Sequence, residues 1–188
     1  KVKVGKELFT AGGPDIVDEL HRLGFKIFLD LKFHDIPQTV SSALKQASSL
    51  GVWMINVHSS GGRRMLVAAK EAIDDSEKRP ILVAVTVLTS MLQDDLLEVG
   101  IEAPLEKHVE RLALLSKESG CDGIVCSAKE ASNLRNIMGK EFILVSPGIR
   151  FSDQLVDDQR RVVTPQAGLV AGVDYLVLGR IVTQAKNP

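Results

Sequence analysis

Runs of apolar, often β-branched residues recur seven times along the chain: Val2–Gly5, Phe25–Leu31, Val52–His58, Ile81–Leu88, Gly123–Ser127, Phe142–Pro147 and Tyr175–Gly179. Hydrophobicity within each run is nearly continuous rather than alternating, the mark of parallel strands covered on both faces. Between the runs lie segments with apolar residues at helical spacing. Pro14–Leu23 carries Ile16, Val17, Leu20 and Leu23 on one face, and Pro37–Leu50 starts with proline in its first turn and stops at Gly51. Arg63–Ile73, Leu105–Ser119, Ala128–Met138 and Thr164–Ala171 complete the series. Several of these segments run into a glycine: Gly24, Gly120, Gly139 or Gly172. No Ser/Gly linker or low-complexity tract interrupts the pattern, which predicts one domain over residues 1–188.

Alternating strand and helix predicts an α/β fold with a parallel sheet, either open and doubly wound or closed as a barrel. Polar and glycine-rich residues follow almost every run: Lys3/Lys6, Asp30/Lys32, His58 to Gly62, Thr89/Ser90, Ser127, Gly148/Arg150 and Gly179/Arg180. A (β/α)8 TIM barrel gathers the C-terminal ends of its strands at one mouth and builds its site there. An open sheet would concentrate ligand groups at one switch point. The distribution therefore predicts the barrel. Only seven strands are found where closure needs eight, so a first βα unit and a final covering helix are expected to lie outside the chain.

Composition narrows the function. Of 188 residues, 45% are hydrophobic and 25% charged, with a net charge of −1, an ordinary balance for a soluble globular protein. No basic cluster exceeds two consecutive residues, which argues against a nucleic-acid surface. No apolar run approaches the roughly 20 residues of a membrane helix, and no leader-like pattern opens the chain. Cys121 and Cys126 read as reduced core thiols of a cytoplasmic protein. Their C-x4-C spacing without nearby histidines supplies too few ligands for zinc, so no metal is expected.

One stretch stands out, Phe28 to Thr39. It ends a buried strand with charges of alternating sign, Asp30, Lys32 and Asp35, before Pro37 opens a helix. Residues two apart on a strand share a face, so Asp30 and Lys32 should project side by side. Burying such charges costs several kcal/mol each unless they are paired. Lys3, inside the first run, is the evident partner for Asp30. At about 4 Å and an effective dielectric near 20 such a pair gains about 4 kcal/mol of Coulomb energy before desolvation. Spacing alone leaves open both a structural ion-pair network and a catalytic centre.

Gly179-Arg180, closing the last run, combines turn amides with an arginine fork and suits a phosphate dianion. The segment from Gly148-Ile149-Arg150 to Asp158-Gln159-Arg160-Arg161 is polar and rich in donors, the profile of a lid over an anion. His34 and His58 are weaker acid–base candidates. Gly61-Gly62 could face an anion at a helix start, but lacks the spacing of a nucleotide-binding motif. Trp53, Met54 and the leucines of 105–115 read as core, and Cys126 as packing.

With these residues in view, the chain resembles the orotidine 5′-phosphate decarboxylase family in its bacterial form. The resemblance rests on Lys3-Val4-Gly5-Lys6, Asp30-Leu31-Lys32-Phe33-His34-Asp35-Ile36-Pro37, and Thr86-Val87-Leu88-Thr89-Ser90-Met91. Pro147-Gly148-Ile149-Arg150, Asp158-Gln159-Arg160-Arg161 and Gly179-Arg180 extend it, so that it runs from Lys3 to Gln184. It implies a (β/α)8 barrel, a homodimer, and cofactor-free and metal-free conversion of orotidine 5′-phosphate to uridine 5′-phosphate. By the same resemblance Lys32 would protonate C6, and Asp30 would lie against the departing carboxylate, flanked by Lys3. Asp35 and Thr39 would reach the neighbouring subunit's site, and Thr89 the pyrimidine edge. Arg150, Gln159, Gly179 and Arg180 would hold the phosphate. Ile181 stands where relatives usually carry proline. Two other readings compete: a magnesium-dependent 3-keto-gulonate-6-phosphate decarboxylase sharing D-x-K-x-x-D, and a non-catalytic phosphate-binding barrel.

Overall fold

The computed structural model describes residues 1–149 and 163–187. The chain folds into two compact units, Lys1–Val85 with Leu115–Gly123, and Thr86–Leu114 with Ile124–Pro188. The first unit holds β1 (Val2–Gly5), α1 (Lys6–Gly12), α2 (Asp15–Arg22), β2 (Ile27–Phe33), α3 (Pro37–Ser49), β3 (Met54–His58), α4 (Gly62–Asp74) and β4 (Ile81–Val85). These four strands pair in parallel and in chain order, Val2 opposite Ile27, Phe28 opposite Met54, and Met54 opposite Ile81. Next come α5 (Gln93–Glu98), α6 (Leu105–Glu118), β5 (Gly123–Val125), α7 (Ala131–Met138), β6 (Ile143–Ser146), α8 (Pro165–Val170), β7 (Tyr175–Leu176) and α9 (Arg180–Thr183). In the second unit β6 and β7 are parallel partners, with Val145 opposite Tyr175.

The strands form where the pattern of apolar runs places them, with trimmed ends. Phe25 and Leu88, at the margins of predicted strands, are exposed, and a solvent-facing residue does not fit a sheet covered on both faces. Two short helices escape the periodicity. α1 buries none of its residues, and α5 buries only Leu96, so neither carries an apolar stripe. The final covering helix is expected outside the chain, yet one turn of helix, α9, already follows β7 and buries Ile181. Among the described residues the strands number seven.

Each unit has its own core. Ile27, Leu29, Ile55, Val57, Leu66 and Leu82 belong to a fully buried cluster in the first, and Ile124, Leu134, Leu144 and Ile149 to one in the second. Cys121 and Cys126 are buried thiols, one in each cluster, and burial pushes the Cys121 thiol up to about 12. Four residues read as core are less enclosed, Leu105 and Leu115 among them as half-buried residues. Leu114 is exposed, and Trp53 is half-buried with the Lys1 ammonium 4.5 Å over its ring.

The same device ties strand starts in both units. Asp122, just before β5, donates its own N–H to Leu82 O at 2.9 Å and accepts Leu82 N–H at 2.7 Å through its carboxylate. Asp174, just before β7, does the same with Leu144 at 2.9 and 2.7 Å. Each carboxylate is held by an arginine, Arg79 at 2.8 Å and Arg135 at 2.6 Å. Arg135 also donates to the carbonyls of Gly139, Lys140, Phe142 and Gly172.

Truncating Arg135 strands those acceptors. Arg135→Ala should therefore lower unfolding free energy by about 2–3 kcal/mol, read by urea denaturation. Lys107→Ala, which removes only a surface pair with Glu110, should cost about 0.5 kcal/mol or less.

Candidate active site

β2 enters the site as a buried strand: Ile27, Phe28, Leu29 and Asp30 are all buried, while Leu31, Lys32 and Phe33 are half-buried. A regular strand does not continue through the charges. β2 advances from Leu29 to Phe33 while β3 advances only from Ile55 to Val57, so Asp30, Leu31 and Lys32 stand opposite the single residue Asn56. Lys32 takes up the excess with φ of +53°, which no other non-glycine among the described residues shares. That conformation costs about 1–2 kcal/mol in an L-residue. Such a widened stretch re-aims a side chain, and Lys32 Nζ comes to rest 2.6 Å from Asp30 Oδ1. Asp30 and Lys32 do meet, but through a bulge with one left-handed residue rather than through simple strand alternation.

Three groups converge on the Asp30 carboxylate. Lys32 Nζ donates to Oδ1, Lys3 Nζ lies 3.1 Å from Oδ2, and Asn56 Nδ2 donates to Oδ1 at 2.7 Å. Gly5, opposite Asp30 on β1, leaves the space Lys3 uses: a Cβ there would lie 2.9 Å from Lys3 Nζ. Asn56 is fully buried, and its Oδ1 accepts the Lys32 N–H at 2.8 Å. Burial pushes the Asp30 carboxyl up. The hydrogen bond and charge of Lys32, the charge of Lys3 and the hydrogen bond from Asn56 outweigh it and hold the group below the ordinary carboxylate range.

His58, at the end of β3, lies beside this centre. Its ring centroid is 5.4 Å from that of His34. Burial, then the charges of His34, Lys32 and Lys6, push His58 down to about 4, against a smaller opposing effect of Asp30. His58 is thus neutral at pH 7. Gly61 packs tightly, since a Cβ there would fall 2.1 Å from Met65 Sδ and 3.3 Å from His34 Cδ2.

Other residues expected at the site are not among the three that converge on Asp30, or belong to the second unit. Asp35 is exposed and its carboxylate accepts the N–H of Ile36 at 2.6 Å; among the described residues it forms no ion pair. Thr39 is exposed in the first turn of α3. In the second unit Thr89 is half-buried beyond β4, and Gly179 and Arg180 are exposed at the start of α9. Arg150 and Gln159 lie outside the described residues. Among the described residues no three His, Cys, Asp or Glu side chains are grouped to hold a metal ion.

Asn56 and Gly5 are the residues that reading the sequence missed. A signal existed for the first: a lone carboxamide inside the apolar run Val52–His58 must find partners if it is buried.

Comparison with known proteins bears on this geometry. The family model for "Orotidine 5'-phosphate decarboxylase / HUMPS family" matches residues 1–188. Two curated relatives are both named orotidine 5′-phosphate decarboxylase. The one from Chromobacterium violaceum is 57% identical over 188 residues, 100% of this chain and 76% of the relative. The one from a Marinomonas species is 58% identical over 189 residues, 100% of this chain and 80% of the relative. A crystal structure of orotidine 5′-phosphate decarboxylase from Lactobacillus acidophilus superposes with a TM-score of 0.87 at 39% identity, covering 100% of this chain and 81% of that one. The chain belongs to the orotidine 5′-phosphate decarboxylase / HUMPS family, and its α/β fold is that of the (β/α)8 barrels.

The two perturbed groups act in different parts of the acid range. His58 has a lowered folded pKa, so the unfolded chain takes up its proton first. Its contribution to stability is present above about pH 6.5 and is lost as pH falls toward 4. Asp30 also has a lowered folded pKa, and its contribution is present above its ordinary value of 3.8 and lost below it. Replacing His58 by Gln should flatten the stability curve between pH 6.5 and 4 and leave the fall below 3.8. Urea unfolding from about pH 3 to 7, with the His58 ring followed by NMR, checks both.

Proposed function

We propose that the Lys3–Asp30–Lys32 centre is where this enzyme removes CO2 from orotidine 5′-phosphate, with Lys32 as the proton donor. The chain is an orotidine 5′-phosphate decarboxylase of pyrimidine biosynthesis by its family and its relatives. The observation that carries the mechanism is the 2.6 Å contact between the Lys32 ammonium and a buried carboxylate that a second lysine also faces.

The chemistry needs such a group. When the C6–carboxylate bond breaks, its electron pair stays on C6, and no adjacent carbonyl spreads the charge. An ammonium fixed nearby stabilises that pair electrostatically and then hands it a proton. CO2 leaves, C6 gains hydrogen, and Lys32 recovers its proton from solvent. Asp30 keeps the ammonium aimed before the substrate arrives, and Lys3 keeps Asp30 ionised. Each tenfold in rate requires about 1.4 kcal/mol, so aim and charge both count. Thr89 is assigned to the pyrimidine edge, and Arg150, Gln159, Gly179 and Arg180 to the phosphate, on family resemblance. Binding energy from that end is available to hold the reacting ring in place.

The enzyme is proposed to act as a cytoplasmic homodimer, with Asp35 and Thr39 serving the neighbouring site. Two features support this: both side chains are exposed, and Ile36 between them leaves 66% of its surface uncovered.

Lys32→Ala should lose at least about 1000-fold in turnover while binding uridine 5′-phosphate about as well as the parent. Arg180→Ala should mainly weaken that binding. Turnover is followed by ultraviolet absorbance in EDTA; wild-type-like turnover by Lys32→Ala sinks the proton-donor role, and loss of activity in EDTA points to the metal-dependent relative. The shared site has its own test. Mixing inactive Lys32→Ala and Asp35→Ala chains should restore roughly a quarter of wild-type turnover through mixed dimers; no recovery would place Asp35 outside the neighbour's site.

A further inference from the structure

β3 lends the site one residue that neither charge nor family motif marks. We infer that Asn56 is the positioning residue of the catalytic lysine: its carboxamide holds the left-handed backbone of Lys32 and the Asp30 carboxylate at once, and so aims the ammonium. The inference rests on the reading of Lys32 as proton donor.

The geometry leaves Asn56 little other employment. Over Asp30 to Lys32 the backbone register between β2 and β3 is broken, and Asn56 is the single β3 residue facing the three. Its Oδ1 takes the Lys32 N–H at 2.8 Å, and its Nδ2 gives a proton to Asp30 Oδ1 at 2.7 Å. The same Asp30 oxygen receives Lys32 Nζ at 2.6 Å. Backbone, carboxamide, carboxylate and ammonium therefore form a closed ring of hydrogen bonds that begins and ends on Lys32.

The chemistry of the partners selects a carboxamide. A backbone N–H can only donate and an ionised carboxylate can only accept. The residue between them must accept on one side, donate on the other, and carry no charge. Asn does this with one planar head and two side-chain torsions, both immobilised here by full burial. Lys32 is otherwise a long, freely rotating side chain on a strained backbone, and strain persists only where its surroundings over-determine it. Supporting groups of this kind keep a reacting group in productive geometry and typically act on the chemical step rather than on ground-state binding.

Two variants test this. Asn56→Leu keeps the branching at Cγ and loses both hydrogen bonds. Asn56→Asp keeps the acceptor for Lys32 N–H but sets a carboxylate against Asp30. In both, kcat should fall about 10- to 100-fold, while KM for orotidine 5′-phosphate and the Kd of uridine 5′-phosphate change less than about threefold. The kcat of Asn56→Asp, taken where circular dichroism shows the native fold, should recover as pH is lowered, because the introduced carboxyl can donate to Asp30 once protonated. In Asn56→Leu, hydrogen exchange of the Lys32 amide should become faster. A purely structural Asn56 would lower thermal stability and leave kcat and its pH profile alone. Either variant, folded and with kcat within about threefold of the parent, overturns the inference; if Asn56→Leu does not fold, Asn56→Asp decides by the same limits. Lys32→Ala measured in parallel separates the failures. Turnover by Lys32→Ala removes the proton-donor reading and this inference with it, whereas inactive Lys32→Ala beside fully active Asn56 variants removes only the positioning role.

Discussion

A buried carboxylate with too little water around it is the constraint from which the charged centre follows. Asp30 closes a run of buried β2 residues, where an unpaired charge would cost several kcal/mol. Two ammoniums and a carboxamide meet that cost. Breaking such a pair by removing one partner is far more damaging than never having built it. Each partner in turn imposes a condition on the chain around it: an empty place at Gly5, a widened register between β2 and β3, and a left-handed residue at Lys32.

Those conditions are met by rigid elements. Lys3, Asp30, Lys32 and Asn56 all belong to three neighbouring parallel strands, whose Val4, Ile27, Leu29, Ile55 and Val57 belong to one fully buried cluster. A side chain carried by a strand is held more closely than one carried by a loop. The bulge that aims Lys32 is tolerable because Ile27 to Leu29 before it and Ile55 and Val57 opposite are locked in the core. In both units an aspartate ahead of a strand ties two strand starts together with an arginine behind it. These ties keep strand registers from slipping, and a slip of one residue would turn every side chain to the wrong face.

Much of this was legible in the residues. Seven apolar runs announce seven strands, because doubly covered parallel strands need continuous hydrophobicity. Pro37 and Gly51 bracket α3, because proline suits a first turn and glycine a helix end. Asp30 and Lys32 call attention to themselves because charge at the end of an apolar run demands partners. The helices α1 and α5 were not legible, since they bury almost nothing and so leave no periodic trace.

What the sequence alone determined is the inventory: an α/β chain, the succession of strands and helices along it, the charged residues, and the motif that ties it to a decarboxylase family. Those properties are local, set by side-chain chemistry and spacing along the chain. What only the tertiary structure decided is the manner of assembly: that Lys32 reaches Asp30 through a left-handed turn, that Gly5 is an opening for Lys3, and that Asn56 bridges the two strands. Hydrogen bonds between residues 24 and 26 positions apart depend on which strands become neighbours and in what register. That is a property of the packed core as a whole, and no window of the sequence contains it.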